Sequence, residues 1–217
     1  MKYGEISGNH RINTMIYRCF DCIAEEDVRV FVRKFHQQAK DEDQVIHTFR
    51  ELVLGAFLAS SGFTVQYERP IGPKTPDWTI IDERHLPTCI VELVNFHPDA
   101  TRDREIKQQL NAGNVWCGFP SNVDRLYSRI QEKAAAYKAA VEQADVPCIV
   151  SLFGDFFAVV EHHEIRTCLF EKGTELFALY PEMSGLLFFQ HGNGYYHFTY
   201  ESNPVAARAF SLPSGQF

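Results

Sequence analysis

Between Trp78 and Phe96 the chain carries two apolar, β-prone runs, WTII and CIVELVNF, separated by the polar DERHLP. Runs of this kind bounded by turn residues predict two strands with a hairpin connection. The second run also holds an acid. Period-two alternation places Ile90, Glu92, Val94 and Phe96 on one face, and Val91, Leu93 and Asn95 on the other. Glu92 is thus flanked on its own face by Ile90 and Val94, where a carboxylate is strongly disfavoured unless a cation or a metal compensates it. Asp77 opens the preceding strand directly after Pro76, whose fixed φ stiffens the turn. If the two strands pair, both acids converge at one end of the sheet.

The flanking sequence supplies the rest of a layered fold. AEEDVRVFVRKFHQQAK, with Val28, Val30, Phe31 and Phe35 as apolar positions, predicts an amphipathic helix. KDEDQVIHTFRELVLGAFLASSGF predicts a second helix, apolar nearly all round after Arg50 and therefore buried on most sides. FTVQYE reads as a short strand ahead of WTII. Residues 97–121 are polar, contain Gly113 and Gly118, and read as a long loop. NVDRLYSRIQEKAAAYKAAVEQA then forms a helix with Val123, Leu126, Ile130, Ala134, Tyr137 and Val141 in one stripe, leading into the buried strand VPCIVSLFGDF. The C-terminal third adds apolar helical material and a hairpin, GLLFFQ and YYHFTY around HGNG, that extends the sheet. This order predicts an α/β fold with a mixed central sheet flanked by helices, because a crossover helix favours parallel pairing. Without repeats or linkers, the 217 residues predict a single domain: an N-terminal helical extension over 1–40, a core over 41–156 and a C-terminal α/β extension over 157–217.

Composition excludes several classes. With 45% hydrophobic and 23% charged residues the chain is globular, and its net charge of −7 rules out a general nucleic-acid coat, leaving only local contacts with such a partner. No run suits a signal peptide or a membrane span, which predicts a soluble, cytoplasmic protein with no membrane partner. Six cysteines, two of them inside apolar runs, do not read as a disulfide framework. Cys19 and Cys22 in CFDC lack a second ligand pair for zinc. The adjacent His162 and His163 point in different directions and belong on the surface.

A third acid joins Asp77 and Glu92. Glu51 has Leu54, Gly55 and Leu58 on its C-terminal side and no Lys or Arg at i±3 or i±4, so it is no ordinary helix ion pair. Three acids from a helix and two strands suit a hard cation, magnesium or manganese. Singly, each has a plainer role: Asp77 in a turn, Glu51 as a solvated helix residue, Glu92 paired with an arginine. Together, Glu51 in a helix, Pro76-Asp77 at a strand start and Glu92 in the next strand resemble the PD-(D/E)xK nuclease superfamily, over roughly residues 44–156. The resemblance implies a restriction-endonuclease-like three-layer sandwich and phosphodiester hydrolysis by magnesium-activated water. It further implies Asp77 and Glu92 as ligands, the Leu93 carbonyl assisting, and Glu51 holding a metal-bound water. The partner would be nucleic acid, DNA before RNA, with a homodimer admitted for double-strand cutting.

The superfamily pattern places lysine two residues after the second acid, where this chain has Val94. Lys74, Lys107 and Lys133 are the candidate substitutes. Lys133 lies one turn after Ile130 and one turn before Tyr137, on the flank of the buried stripe. The spacing K-AAA-Y is similar to a Gln-xxx-Tyr helix motif found near substrate in one branch of the superfamily. Alternatively, Lys133 extends from a packed helix into solvent. Substrate contacts are expected from Lys74, Tyr137, Arg102, Arg104 and Lys107, although Asp99, Asp103 and Glu105 make the polar stretch equally a solvated loop. Two functions follow: a metal-dependent nuclease, or a non-catalytic binding module on the same fold that uses GYYHFTYESNP as its contact surface.

Overall fold

The computed structural model describes residues 10–98, 100–114, 121–155, 158–171, 173 and 175–217. Its strands hydrogen-bond in chain order into one seven-stranded sheet. The chain divides into two compact units, Met1–Val91 and Glu92–Phe217, with the break inside a strand.

The first unit contains α1 (His10–Phe20), α2 (Glu25–Gln38), α3 (Glu42–Ser60), β1 (Thr64–Tyr67), β2 (Trp78–Ile81) and the first half of β3 (Pro87–Phe96). Glu25, Glu26 and Asp27 occupy the first turn of α2, where they complement the positive end of the helix. Asp41 caps α3 by accepting from the Gln44 amide at 3.1 Å. Every residue of α3 from Thr48 to Leu58 is buried, as its all-round apolar character requires. Close packing on this helix depends on Gly55, since a Cβ there would lie 1.9 Å from Trp78 Cζ2. The segment α1 has no counterpart in the sequence expectation; its inward positions, Asn13, Ile16, Cys19 and Phe20, mix polar with apolar residues and blur the helical period.

The β2–β3 hairpin forms as predicted, with Trp78 opposite Val91 and Thr79 opposite Ile90 in an antiparallel ladder. Its turn is held by Asp82, whose Oδ1 accepts from the amides of Arg84 (2.9 Å) and Leu86 (2.7 Å).

The second unit comprises the remainder of β3, α4 (Ala100–Asn111), α5 (Val123–Ala144), β4 (Cys148–Gly154), α6 (His162–Phe170), α7 (Leu176–Leu179), β5 (Met183–Gly192), β6 (Tyr195–Ser202) and β7 (Gly215–Gln216). Strands β4 and β5 run parallel, while β5–β6 and β6–β7 are antiparallel, so the sheet is mixed. The fold is therefore α/β, with seven α-helices among the described residues. Val94 and Phe96 of β3 pack with Leu126, Ile130 and Ala134 of α5 and Val150 and Leu152 of β4 in one core cluster. Each fully buried side chain of this size contributes about 2 kcal/mol.

The polar stretch after β3 is a helix over Ala100–Asn111, not a loop. Its residues are mostly good helix formers and Lys107 pairs with Asp103 at 2.7 Å across one turn. Ile106 is buried while Leu110 is 48% exposed, so no apolar stripe announced it. Residues 115–120, including Cys117 and Gly118, lie outside the described residues, as does Asp99. Cys19, Cys22, Cys89, Cys148 and Cys168 form no disulfide. No helix among the described residues is long and apolar enough to cross a membrane.

Candidate functional site

Glu92 and Lys133 meet inside the second unit. Alternation along β3 puts Glu92 on the same face as Val94 and Phe96, which α5 covers. Helical spacing sets Lys133 beside Ala134 and one turn from Ile130 on the covering helix. The result is an ion pair of 2.6 Å between Lys133 Nζ and Glu92 Oε1, with side-chain exposures of 36% and 7%. A lysine from α5 thus supplies the positive charge that Val94, itself buried, does not. Cys148 at the start of β4 senses this end of the sheet: burial first, then the carboxylates of Glu92 and Glu182, push its thiol up to about 12. Glu182 is itself buried, with Lys138 Nζ of α5 at 3.4 Å from its Oε1.

Glu51 has a different setting in the first unit. Its Oε1 lies 2.9 Å from His47 Nε2, one turn back on α3. Its Oε2 accepts from the Tyr67 hydroxyl, which in turn accepts from Lys34 Nζ, and that ammonium is 3.6 Å from Glu51 Oε2. Burial would raise the Glu51 pKa, but the His47 hydrogen bond, the Lys34 charge and the Tyr67 hydroxyl together hold it below the usual range. The same arrangement drives the Tyr67 hydroxyl far upward, through burial and then the Glu51 carboxylate, with Asp77 among the lesser causes. Asp77 is half-buried and its carbonyl accepts from the Glu68 amide at 3.1 Å. Trp78 fixes the helix to the strand by donating its indole N–H to the Glu51 carbonyl at 2.8 Å.

The other predicted residues scatter. Lys74 closes a tight turn with Ile71 in the β1–β2 connection. Leu93 and Tyr137 are buried, at 1% and 7% exposure. Arg102 on α4 is half-buried and reaches Asn122 Oδ1 at 3.3 Å. Arg104 and Lys107 are exposed. Because α4 is a helix, Arg104 and Lys107 share one side of it and Arg102 lies on another.

Sequence reasoning missed His47, Lys34 and Tyr67 as partners of Glu51, and it missed Glu182 and Lys138. His47 was legible, standing four residues before Glu51 on the same helix. Lys34 and Tyr67 come from other elements, and no local pattern marks them. Comparison with family models, with curated proteins and with solved structures gave no match.

As donors, carboxylates fit magnesium or manganese. Mg²⁺ retains several waters and is commonly held by one or two carboxylates, so a pair of acids suffices. Among the described residues no group of three or more His, Cys, Asp or Glu side chains is placed to hold a metal ion.

Proposed function

We propose that the protein is a Mg²⁺- or Mn²⁺-dependent phosphodiester hydrolase of restriction-endonuclease-like fold, acting on nucleic acid, DNA before RNA. The observation that carries this reading is the 2.6 Å pair between buried Glu92 and Lys133. It provides a cation beside the second acid of a PD…E pattern whose usual lysine position holds Val94. Register supports the role of Asp77. Trp78 is opposite Val91, and in the chain Asp77 directly precedes Trp78 while Glu92 directly follows Val91.

In this reading Asp77 and Glu92 would hold the metal, which would supply polarisation of a phosphoryl oxygen and a lowered pKa of water. Lys133 pairs with Glu92 and offers N–H donors to a phosphoryl oxygen as charge builds on it. Glu51 is kept ionised by its three partners, His47, Lys34 and Tyr67. The Leu93 carbonyl is a further oxygen donor next to Glu92.

The test is cleavage of supercoiled, linear and single-stranded DNA in Mg²⁺ and in Mn²⁺, beside Asp77→Ala, Glu92→Ala and Lys133→Ala. Loss of cleavage in all three variants, with folding retained by circular dichroism, is the expected result. Undiminished cleavage in the acid variants overturns it.

A second reading, a non-catalytic binding module, is favoured by Glu51, whose carboxylate is engaged by His47, Lys34 and Tyr67. Melting separates the two. A nuclease gains thermal stability from Mn²⁺ through Asp77 and Glu92, whereas a module without a metal shows no shift.

A further inference from the structure

On the second unit, β3 and α5 enclose a cleft of about 630 Å³ whose lining includes Asn95, Phe96, His97, Arg125, Ser128 and Arg129. We propose that this cleft seats one nucleotide of a single nucleic-acid strand, its phosphate on Arg125 and Arg129 and its base beside the Arg125 guanidinium. The proposal rests on the phosphodiester reading for the class of ligand, and it does not require hydrolysis.

Three observations lead there. First, Arg125, Arg129 and Lys133 stand at i, i+4 and i+8 of α5, on one side of the helix. At a rise of about 1.5 Å per residue they are spaced by about 6 Å, close to the interval between phosphates of an extended strand. The row begins in the cleft and ends at the Lys133–Glu92 pair. A strand following it carries its phosphates toward the acid.

Second, Arg125 is preorganised. Its Nη2 donates to the His97 carbonyl at 2.6 Å and its guanidinium lies 4.6 Å from the centre of the Phe96 ring. A planar guanidinium held in place loses little freedom on meeting phosphate, and it offers a flat surface against which an unpaired base can stack. Arg129 differs: it is 62% exposed and its partner Glu132, at 3.2 Å, is 68% exposed. Such a surface pair is worth little, so an incoming phosphate can take Arg129 from Glu132.

Third, the lining is balanced in charge. Asp124 and Glu132 also border the cleft, opposite in sign to the two arginines. A simple anion gains little from this mixture. A nucleotide combines an anionic phosphate with base N–H donors, and it suits both signs at once. The volume lies in the range of small-molecule sites, about 300–1,000 Å³. A duplex presents its bases paired and stacked, so a cleft of this kind selects an unpaired strand.

The experiment is binding without chemistry. Fluorescence anisotropy of a labelled single-stranded oligonucleotide is titrated with the full-length protein in EDTA, across a salt series, using DNA and RNA arms. Arg129→Ala and Arg129→Glu are the primary variants, since exposure makes them safe for folding; Arg125→Lys keeps the charge and removes the plane. Arg29→Ala, an exposed arginine paired with Glu25 on α2, is the control. Expected are affinity losses of about threefold for Arg129→Ala and tenfold or more for Arg129→Glu and Arg125→Lys, with the log–log salt slope reduced by about one per arginine neutralised. The control binds as wild type. Unchanged affinity in folded Arg129→Glu and Arg125→Lys overturns the proposal, as does preferential, arginine-independent binding of duplex. Arginine-dependent binding without cleavage sustains the cleft and removes the hydrolase. Cleavage with arginine-independent binding does the reverse.

Discussion

Two buried glutamates, one in each unit, are neutralised in opposite styles. Glu51 sits among groups drawn from three elements: His47 on its own helix, Lys34 on α2 and Tyr67 on β1. Lys34 is 22% exposed and divides its charge between Glu51 and Glu68. Glu92 meets a lysine on a single covering helix, and that lysine is 36% exposed. Enclosure suits a carboxylate whose task is to stay put. A cation at the edge of solvent can leave its partner for an arriving phosphate more readily than an enclosed one.

That contrast can be broken at several points. The largest effect is expected from Gly55→Ala. The new Cβ would overlap Trp78 at 1.9 Å from Cζ2, pushing the indole off α3 and opening the setting of Glu51. A loss of about 3 kcal/mol is expected, read as a lowered denaturant midpoint. Next is Lys133→Ala, which takes the ammonium from buried Glu92. Equilibrium unfolding should show a loss of about 2 kcal/mol, and Glu92→Gln on the same background should recover part of it. No recovery would mean that Lys133 serves packing rather than charge.

A third buried acid separates burial from compensation. Asp27 is 4% exposed; its Oδ1 accepts from the Tyr67 amide at 3.3 Å, while its Oδ2 has no hydrogen-bond partner among the described residues. Burial raises its pKa to about 6, against the lowering influence of that amide. The folded-state value exceeds the unfolded 3.8, so its contribution to stability is complete below about 4 and is lost as pH rises through about 6. Glu51 runs the other way: its pKa is depressed, so its contribution is present above the unfolded value of 4.5 and is lost as pH falls through the lower folded value. Asp27→Asn should therefore gain roughly 2 kcal/mol relative to wild type at pH 8 and almost nothing near pH 4. Melting curves at the two pH values decide it. The smallest effect is Tyr67→Phe, which deletes the hydroxyl between Lys34 and Glu51. A loss of about 1 kcal/mol is expected, with cleavage, where present, retained.

The strands were legible because their signals are local: WTII, CIVELVNF and VPCIVSLFGDF are apolar runs closed by turn residues, and DERHLP matches a turn that Asp82 organises alone. Lys133 was legible too, since helical spacing from Ile130 and Tyr137 fixes its side of α5. Helix α4 was not, because it buries Ile106 and leaves Leu110 exposed, which leaves no apolar period to read. The surroundings of Glu51 were hidden for another reason. Lys34 and Tyr67 reach it only through the packing of α2, α3 and β1, which no window of sequence contains.

The indole of Trp78 is wholly buried, and its N–H is committed to the Glu51 carbonyl. That places a chromophore within one hydrogen bond of the residue whose charge is most elaborately held. Its excited state carries a dipole, so its emission wavelength responds to the local electric field. With Trp116 replaced by Phe, so that Trp78 is the sole indole, protonation of Glu51, removal of Lys34 or displacement of α3 should each change the colour of the protein's own fluorescence, giving an optical readout of the first unit that needs no label.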